Sequence, residues 1–240
     1  MNETFYSQAQ ILDRSKHDTN PSIEKVKDVL SLIKQEKFSR YFFNDLENPT
    51  WIRLLFDEGI FSQFIDPIEI GKRSYQVPNW PAGEYLARFA DQYEEIVVSI
   101  VQSIKTENWR VQEILIDAML KISPEKIVGL TPTIDGWLSS KFSDTLPYKL
   151  IPLADYLLIN EQDDSAIQLL EYVLMPAIQP SRSEYSKYMS LIRFRSERYW
   201  VNEFCDKLLE KMIIKKPVQV LFTFERLINK AIELIKQENK

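Results

Sequence analysis

Histidine and cysteine each occur once in this 240-residue chain, as His17 and Cys205, and they set the first bound on its chemistry. A cysteine–histidine zinc site takes about four ligands, so none can be assembled within a single chain. A serine or cysteine triad would need His17 as its base. That residue lies among twenty polar, weakly patterned residues, where a solvated surface histidine is the simpler reading. Cys205 follows Phe204 and sits one position off the apolar stripe of its segment, which reads as a packing thiol rather than a nucleophile. Asp66, Glu69 and Lys72 combine two acids and a lysine, the side-chain set of metal-dependent nucleases. Those sites place the lysine two positions after the second acid on a strand; here it is three after, within a proline-containing loop. Asp91, Glu94 and Glu95 share a helical face without the histidine that completes a di-metal helix motif. Gly129 and Gly136, seven apart, match neither the dinucleotide fingerprint nor the P-loop. The expectation is a chain that is not an enzyme, with no catalytic residue, metal site or cofactor.

The positive signal lies elsewhere. Residues 1–180 carry 17 basic and 27 acidic side chains, a net of −10, whereas residues 181–240 carry 13 and 8, a net of +5. Within the basic part, Arg182, Lys187, Arg193, Arg195 and Arg198 outnumber Glu184 and Glu197, and Tyr185, Tyr188, Phe194 and Tyr199 are interleaved with them. Arginine with an aromatic stacking face is the pairing that holds single-stranded nucleic acid. It equally suits a salt-bridged join between helices, and the protein as a whole is acidic, with a pI near 5.2. Arg182, Lys187, Arg193, Arg195, Arg198 and Tyr199 are therefore the candidate partner contacts. The principal expectation is a protein partner or further domains of the same chain, with nucleic acid as the alternative. Lys72, Arg73 and Tyr75, in the run from 66 to 80, are the second set of candidates.

The elements that must position these residues read as helices. Five glycines among plentiful Leu, Ile, Glu and Lys favour helix over turn-rich β structure, so the fold class is all-α. Asn20-Pro21 is expected to cap a helix with Ile23, Val26, Leu30 and Ile33 on one face, running to about Lys37. Asn48-Pro49 opens the next, closed by a left-handed cap at Gly59. The run from 66 to 80 holds two prolines and a glycine and reads as a long irregular connection pinned by Ile68, Val77 and Trp80. Pro81 starts a helix, Ile96, Val97, Ile100, Val101 and Ile104 mark another, and Asn108 caps a third carrying Val111, Ile114, Leu115, Ala118 and Met119. Thr131-Pro132 and Leu146-Pro147 begin two more, and Asp163 or Asp164 caps a further one. Trp200, Val201, Phe204, Leu208 and Met212 form a stripe, and Pro217 starts a last helix with Leu221, Ile228, Ala231, Ile232 and Ile235.

These helices divide into N-terminal capping helices with a polar arm or one short helix (1–65), the long loop (66–80), a helix-pair stack (81–180) and basic C-terminal helices (181–240), all within one helical-repeat domain. Helix starts near 81, 109 and 147 give irregular spacings close to the helix-pair repeat range of about 34–47 residues. The expected architecture is thus an α-solenoid of irregular HEAT-like helix pairs. Apolar runs fall far short of the roughly 18 residues of a membrane span, so no membrane is expected. A single cysteine fits a reducing compartment, hence the cytoplasm.

The segment Asn108, Arg110, Val111, Ile114, Leu115, Ala118 and Met119 resembles the second half of a HEAT or armadillo-type repeat. The order NPTWIRLLFDEGIF, PNWPAGEYLARFA, NWRVQEILIDAML, ERYWVNEFCDKLLEKM is similar to the N-terminal region of large uncharacterised bacterial proteins, over about residues 45–235. The resemblance implies a helical scaffold preceding other domains, in proteins some of which are thought to act in defence against mobile elements. It carries over no catalytic residue, because the matching positions are apolar, aromatic or capping ones.

Overall fold

The structure, a computed structural model, describes residues 3–72, 74–138, 146–174 and 205–238. These are mostly helical, with one two-stranded sheet. Among them no helix is long and apolar enough to cross a membrane. The chain divides into two compact units, Met1–Ile70 with Tyr75–Ile122, and Gly71–Ser74 with Ser123–Lys240.

In the first unit, α1 (Glu3–Lys16) occupies the polar N-terminal segment, so of the arm and the short helix expected there the helix forms. It is held by Leu12, which is fully buried. α2 (Ile23–Leu32) starts two residues later than expected, because Ser22 rather than Asn20 supplies the cap, its Oγ accepting from the Lys25 amide at 3.3 Å. Val26, Val29 and Ile33 point inward, Leu30 is half-buried and Ile23 is exposed. The apolar pattern then breaks into a separate α3 (Glu36–Asn44), whose Phe38, Phe42 and Phe43 are buried. α4 (Trp51–Asp57) ends at Gly59, left-handed at φ 73° as expected, and a 3-10 turn follows at Ile60–Ser62. Phe42 meets Phe43 and Trp51 edge-on at 5.2 and 5.4 Å, and Phe43 lies 5.8 Å from the Tyr85 ring. Each such ring brings a large apolar area plus about 0.5–1.5 kcal/mol from its geometry. α5 (Pro81–Arg88), α6 (Glu94–Ser103) and α7 (Trp109–Met119) begin where the proline and asparagine signals put the first and third. α5 packs between α3 and α7.

The run from 66 to 80 departs from the expected irregular loop. It forms a hairpin of β1 (Ile68–Gly71) and β2 (Ser74–Gln76). Of the three pins named for it, Trp80 is buried, Val77 is half-buried and Ile68 is exposed.

In the second unit, α8 (Pro124–Val128) and α9 (Thr131–Leu138) precede the helix pair α10 (Leu146–Ile159) and α11 (Asp163–Leu174). That pair buries Leu150, Leu153, Ala154, Leu157 and Leu158 with Ala166, Leu169 and Leu170. Asp163 and Asp164 lie in the first turn of α11 rather than before it, where carboxylates still favour the positive end of the helix. A π-helical turn at Cys205–Leu209 leads into α12 (Glu210–Lys215) and α13 (Pro217–Glu238). Leu208 and Met212 are fully buried, as their stripe requires.

Gly83 sets the tightest local constraint. A Cβ there would fall 1.8 Å from a ring carbon of Trp80, whose side chain is buried. Gly83→Ala is expected to lower stability by about 1–3 kcal/mol through overpacking, even though alanine favours a helix interior. Gly136→Ala is the control: it also lies within a helix, with open space beside it, and is expected to gain up to about 1 kcal/mol. Chemical denaturation of the two variants measures both.

Candidate functional site

The hairpin carrying Lys72 and Tyr75 is built on one buried asparagine. Asn108 caps α7, its Oδ1 accepting from the Arg110 amide at 3.0 Å, while its Nδ2 donates to the Ile65 carbonyl at 2.8 Å and the Pro78 carbonyl at 3.0 Å. Those two carbonyls flank the hairpin, so a single side chain closes its mouth. Asp66 reinforces the closure, accepting from Thr106 Oγ1 at 2.5 Å and from the Glu107 amide at 3.0 Å. Asp66 thereby belongs to the frame, while Glu69 and Lys72 are exposed on the hairpin. Tyr75 is half-buried on β2, and Arg73 lies outside the described residues. Ile65, Ile68 and Ile70 are exposed along the outgoing limb. The signal for the hairpin was present as alternation, Ile68-Glu69-Ile70 and Ser74-Tyr75-Gln76 around Gly71, but over strands too short to stand out.

Arg182, Lys187, Arg193, Arg195, Arg198 and Tyr199 all lie outside the described residues. What the structure does show in the C-terminal region is a helix with two apolar faces. α13 turns Val220, Thr223 and Leu227 inward, packing on α11 and α12. Of the stripe read from the sequence, Leu221, Ile228 and Ile232 lie on the other face and are exposed, with Val218 and Phe222 beside them and Ile213 and Ile214 on α12, while the side chains of Ala231 and Ile235 lie outside those described. Periodicity located these side chains correctly on one face, but they do not form this unit's core.

Along one flank of α13 runs an open groove of about 770 Å³ against α11, lined by Gln168, Glu171, Phe222, Thr223 and Arg226 among others. Arg226 spans it by pairing with Glu171 and donating to Thr223 Oγ1 at 3.3 Å. No group in this groove is a nucleophile held against a base. Among the described residues, no cluster of three His, Cys, Asp or Glu side chains could hold a metal ion. His17 is exposed.

Lys16 is the one buried charged side chain among the described residues. Its Nζ lies 3.0 Å from Asp45 and 3.3 Å from Asp13, and 3.7 Å from the Tyr41 ring centre. The Tyr41 hydroxyl donates to Asp13 at 2.7 Å, which holds the Asp13 carboxyl below its ordinary value, with Lys16 adding to the effect, and raises the tyrosine. This node ties α1 to the end of α3.

Two expectations follow from these networks. Asn108→Ala removes a cap and leaves two loop carbonyls without their donor, so a loss of about 2–3 kcal/mol is expected in denaturant melts. Faster amide exchange across 68–76 should accompany it, since Asn108 is the side chain that bridges both limbs of the hairpin, Ile65 and Pro78. For Asp13 the folded carboxyl titrates lower than the unfolded one, so its stabilisation is present above the ordinary value of 3.8 and is lost as pH falls through the folded value. The melting temperature of Asp13→Asn or Tyr41→Phe is expected to decline less steeply in acid than that of the wild type, and equal slopes would rule out the linkage.

No protein-family model matches the chain, and no curated protein and no solved structure matches it either.

Proposed function

We propose that the chain is a non-catalytic helical-repeat scaffold, a solenoid-type stack of irregular helix pairs, that docks a protein partner or further domains of a larger protein. The observation that carries this reading is the exposed apolar face of α13 with the end of α12. Val218, Leu221, Phe222, Ile228 and Ile232 line one side of a single helix, and Ile213 and Ile214 on the preceding α12 are exposed as well. Scattered surface leucines are ordinary, but contiguous apolar area beyond a few hundred Å² on a soluble fold marks an interaction site. A helix presenting such a stripe binds by laying it along another helix or into a groove. The successive packing of α3, α5 and α7, and of α10, α11 and α13, supports the repeat reading, since α5 and α11 each lie between two other helices of their own unit.

The test uses the full chain as bait in an extract of its native host, compared with Leu221→Asp/Ile228→Asp. Proteins captured by the wild type are expected to be lost by the variant, with helical content and melting temperature unchanged because neither side chain is buried. Fluorescence anisotropy with single- and double-stranded oligonucleotides at two salt concentrations is run beside it. Binding that weakens steeply with salt and disappears in Arg193→Glu/Arg195→Glu would replace the scaffold reading with a nucleic-acid module.

A further inference from the structure

We infer that the exposed face of α13 pairs with the same face of a second copy of this chain, antiparallel, so that the scaffold is a two-fold dimer. The inference rests on the reading of α13 as an interaction face and names its occupant.

Spacing identifies the shape of that occupant. Val218, Leu221, Glu225, Ile228 and Ile232 follow one another at intervals of three, four, three and four residues, a period of 3.5. The apolar face of any amphipathic helix shows such spacing, and it is also the spacing with which a helix meets another helix along its length, each side chain falling into the gap between residues of the facing helix. The inward stripe of Val220, Thr223 and Leu227 lies on the opposite side, so the seam is available without disturbing the unit's own packing. α13 is 22 residues long, about 33 Å at the rise of an α-helix, and its free face includes at least four turns of this pattern.

Charge and area identify the occupant itself. Every copy of the chain carries the same stripe, and an isologous contact requires only that the stripe be complementary to itself when reversed. Placing Leu221 opposite Ile232 of the second copy puts Glu225 opposite Ile228, and the reversed pairs repeat the match. Glu225 is the one charge in the seam, and in this register it lies against the aliphatic Ile228 of the second copy and not against another carboxylate. A parallel pairing in register would instead set Glu225 against its own copy, a like-charge contact. Direction is therefore decided by a single residue. The four apolar side chains of the seam, with Phe222 beside them, are 43–68% exposed, which amounts when fully covered to roughly 500 Å² per copy and about 1,000 Å² for the pair, the lower bound for a specific interface. A contact of this size implies a reversible dimer.

Sedimentation velocity of the full chain over a wide concentration range tests the occupant. The apparent mass is expected to climb from 28.4 kDa toward twice that value, and Leu221→Glu/Ile228→Glu is expected to stay monomeric at every concentration with unchanged circular dichroism. Direction is tested by mild oxidation of a mixture of two chains, both Cys205→Ser, one carrying Leu221→Cys and the other Ile232→Cys. The mixed disulfide should exceed either homodimer; a predominant 221–221 product overturns the antiparallel arrangement. A wild type that remains monomeric throughout overturns the dimer. If that monomer still captures host proteins through Leu221 and Ile228, the scaffold reading survives its failure. If it instead floats with phosphatidylserine vesicles, and the double variant does not, the face is a lipid-binding one and both readings fall.

Discussion

The last carbonyls of a helix have no partner within that helix, and a helix packed among others cannot leave them all to water. In this protein the answer recurs: a cation from a later helix donates to them. Arg88 of α5 donates to Phe43, Asn44 and Leu46 at the end of α3. Lys121, just after α7, donates to Ala87 at 2.8 Å and Arg88 at 3.4 Å, the end of α5. In the second unit Lys215 of α12 reaches the Leu158 carbonyl at 2.6 Å near the end of α10. Each donor comes from 33 to 57 residues downstream. A hydrogen bond to a charged group is worth about 1.5–3 kcal/mol and the helix end adds its own attraction for a cation. These contacts therefore do more than close single helices: they set the position of one helix end against the next, and hence the direction in which successive helices are laid down.

That dependence separates what was legible from what was not. Most of the local start and stop signals were readable because their chemistry lies within a few residues, as with Pro81 and Pro217 at first helical positions, Asn108 before α7 and Gly59 with its positive φ, although at α2 Ser22 caps in place of Asn20. Buried stripes on α6 and α7 were readable because hydrophobic period and burial coincide there. Arg88, Lys121 and Lys215 were not, since in one dimension each is an ordinary charge on a helical surface, and the carbonyl it serves is far away in the chain. Asn108 falls between the two. Its capping oxygen was evident from Asn-Trp-Arg-Val, but the nitrogen of the same amide, which ties Ile65 to Pro78, acts across 30 and 43 residues. The hairpin went unread because strands of three and four residues gain little by themselves and depend on that distant closure.

The candidate site shows a different limit. A stripe of Leu221, Ile228 and Ile232 says that one face of α13 is apolar and says nothing about which neighbour covers it. Burial needs the second element as well as the first. In α7 the neighbour is α5 and the stripe is core. In α13 the neighbours α11 and α12 take Val220, Thr223 and Leu227 instead, a set that includes a threonine and would not have been chosen on hydropathy. The same period thus has opposite meanings in the two helices.

A helix that is apolar on two opposite faces carries a cost while one face is open, because water must be ordered around it and the unfolded chain loses less by exposing it. α13 tolerates this for a physical reason that can be traced. Lys211 and Lys215 of α12 pair with Asp155 and Asp163 at 2.7 and 3.3 Å, and Arg226 of α13 pairs with Glu171 of α11. These ion pairs flank the inward face, where Val220, Thr223, Leu227 and Met212 are buried, and a roll that hid the outer side chains would bring those into water. Being exposed, the pairs contribute little to stability. The buried inward side chains set the orientation of the helix, which makes the open stripe a defined surface rather than the slack side of a loosely packed helix.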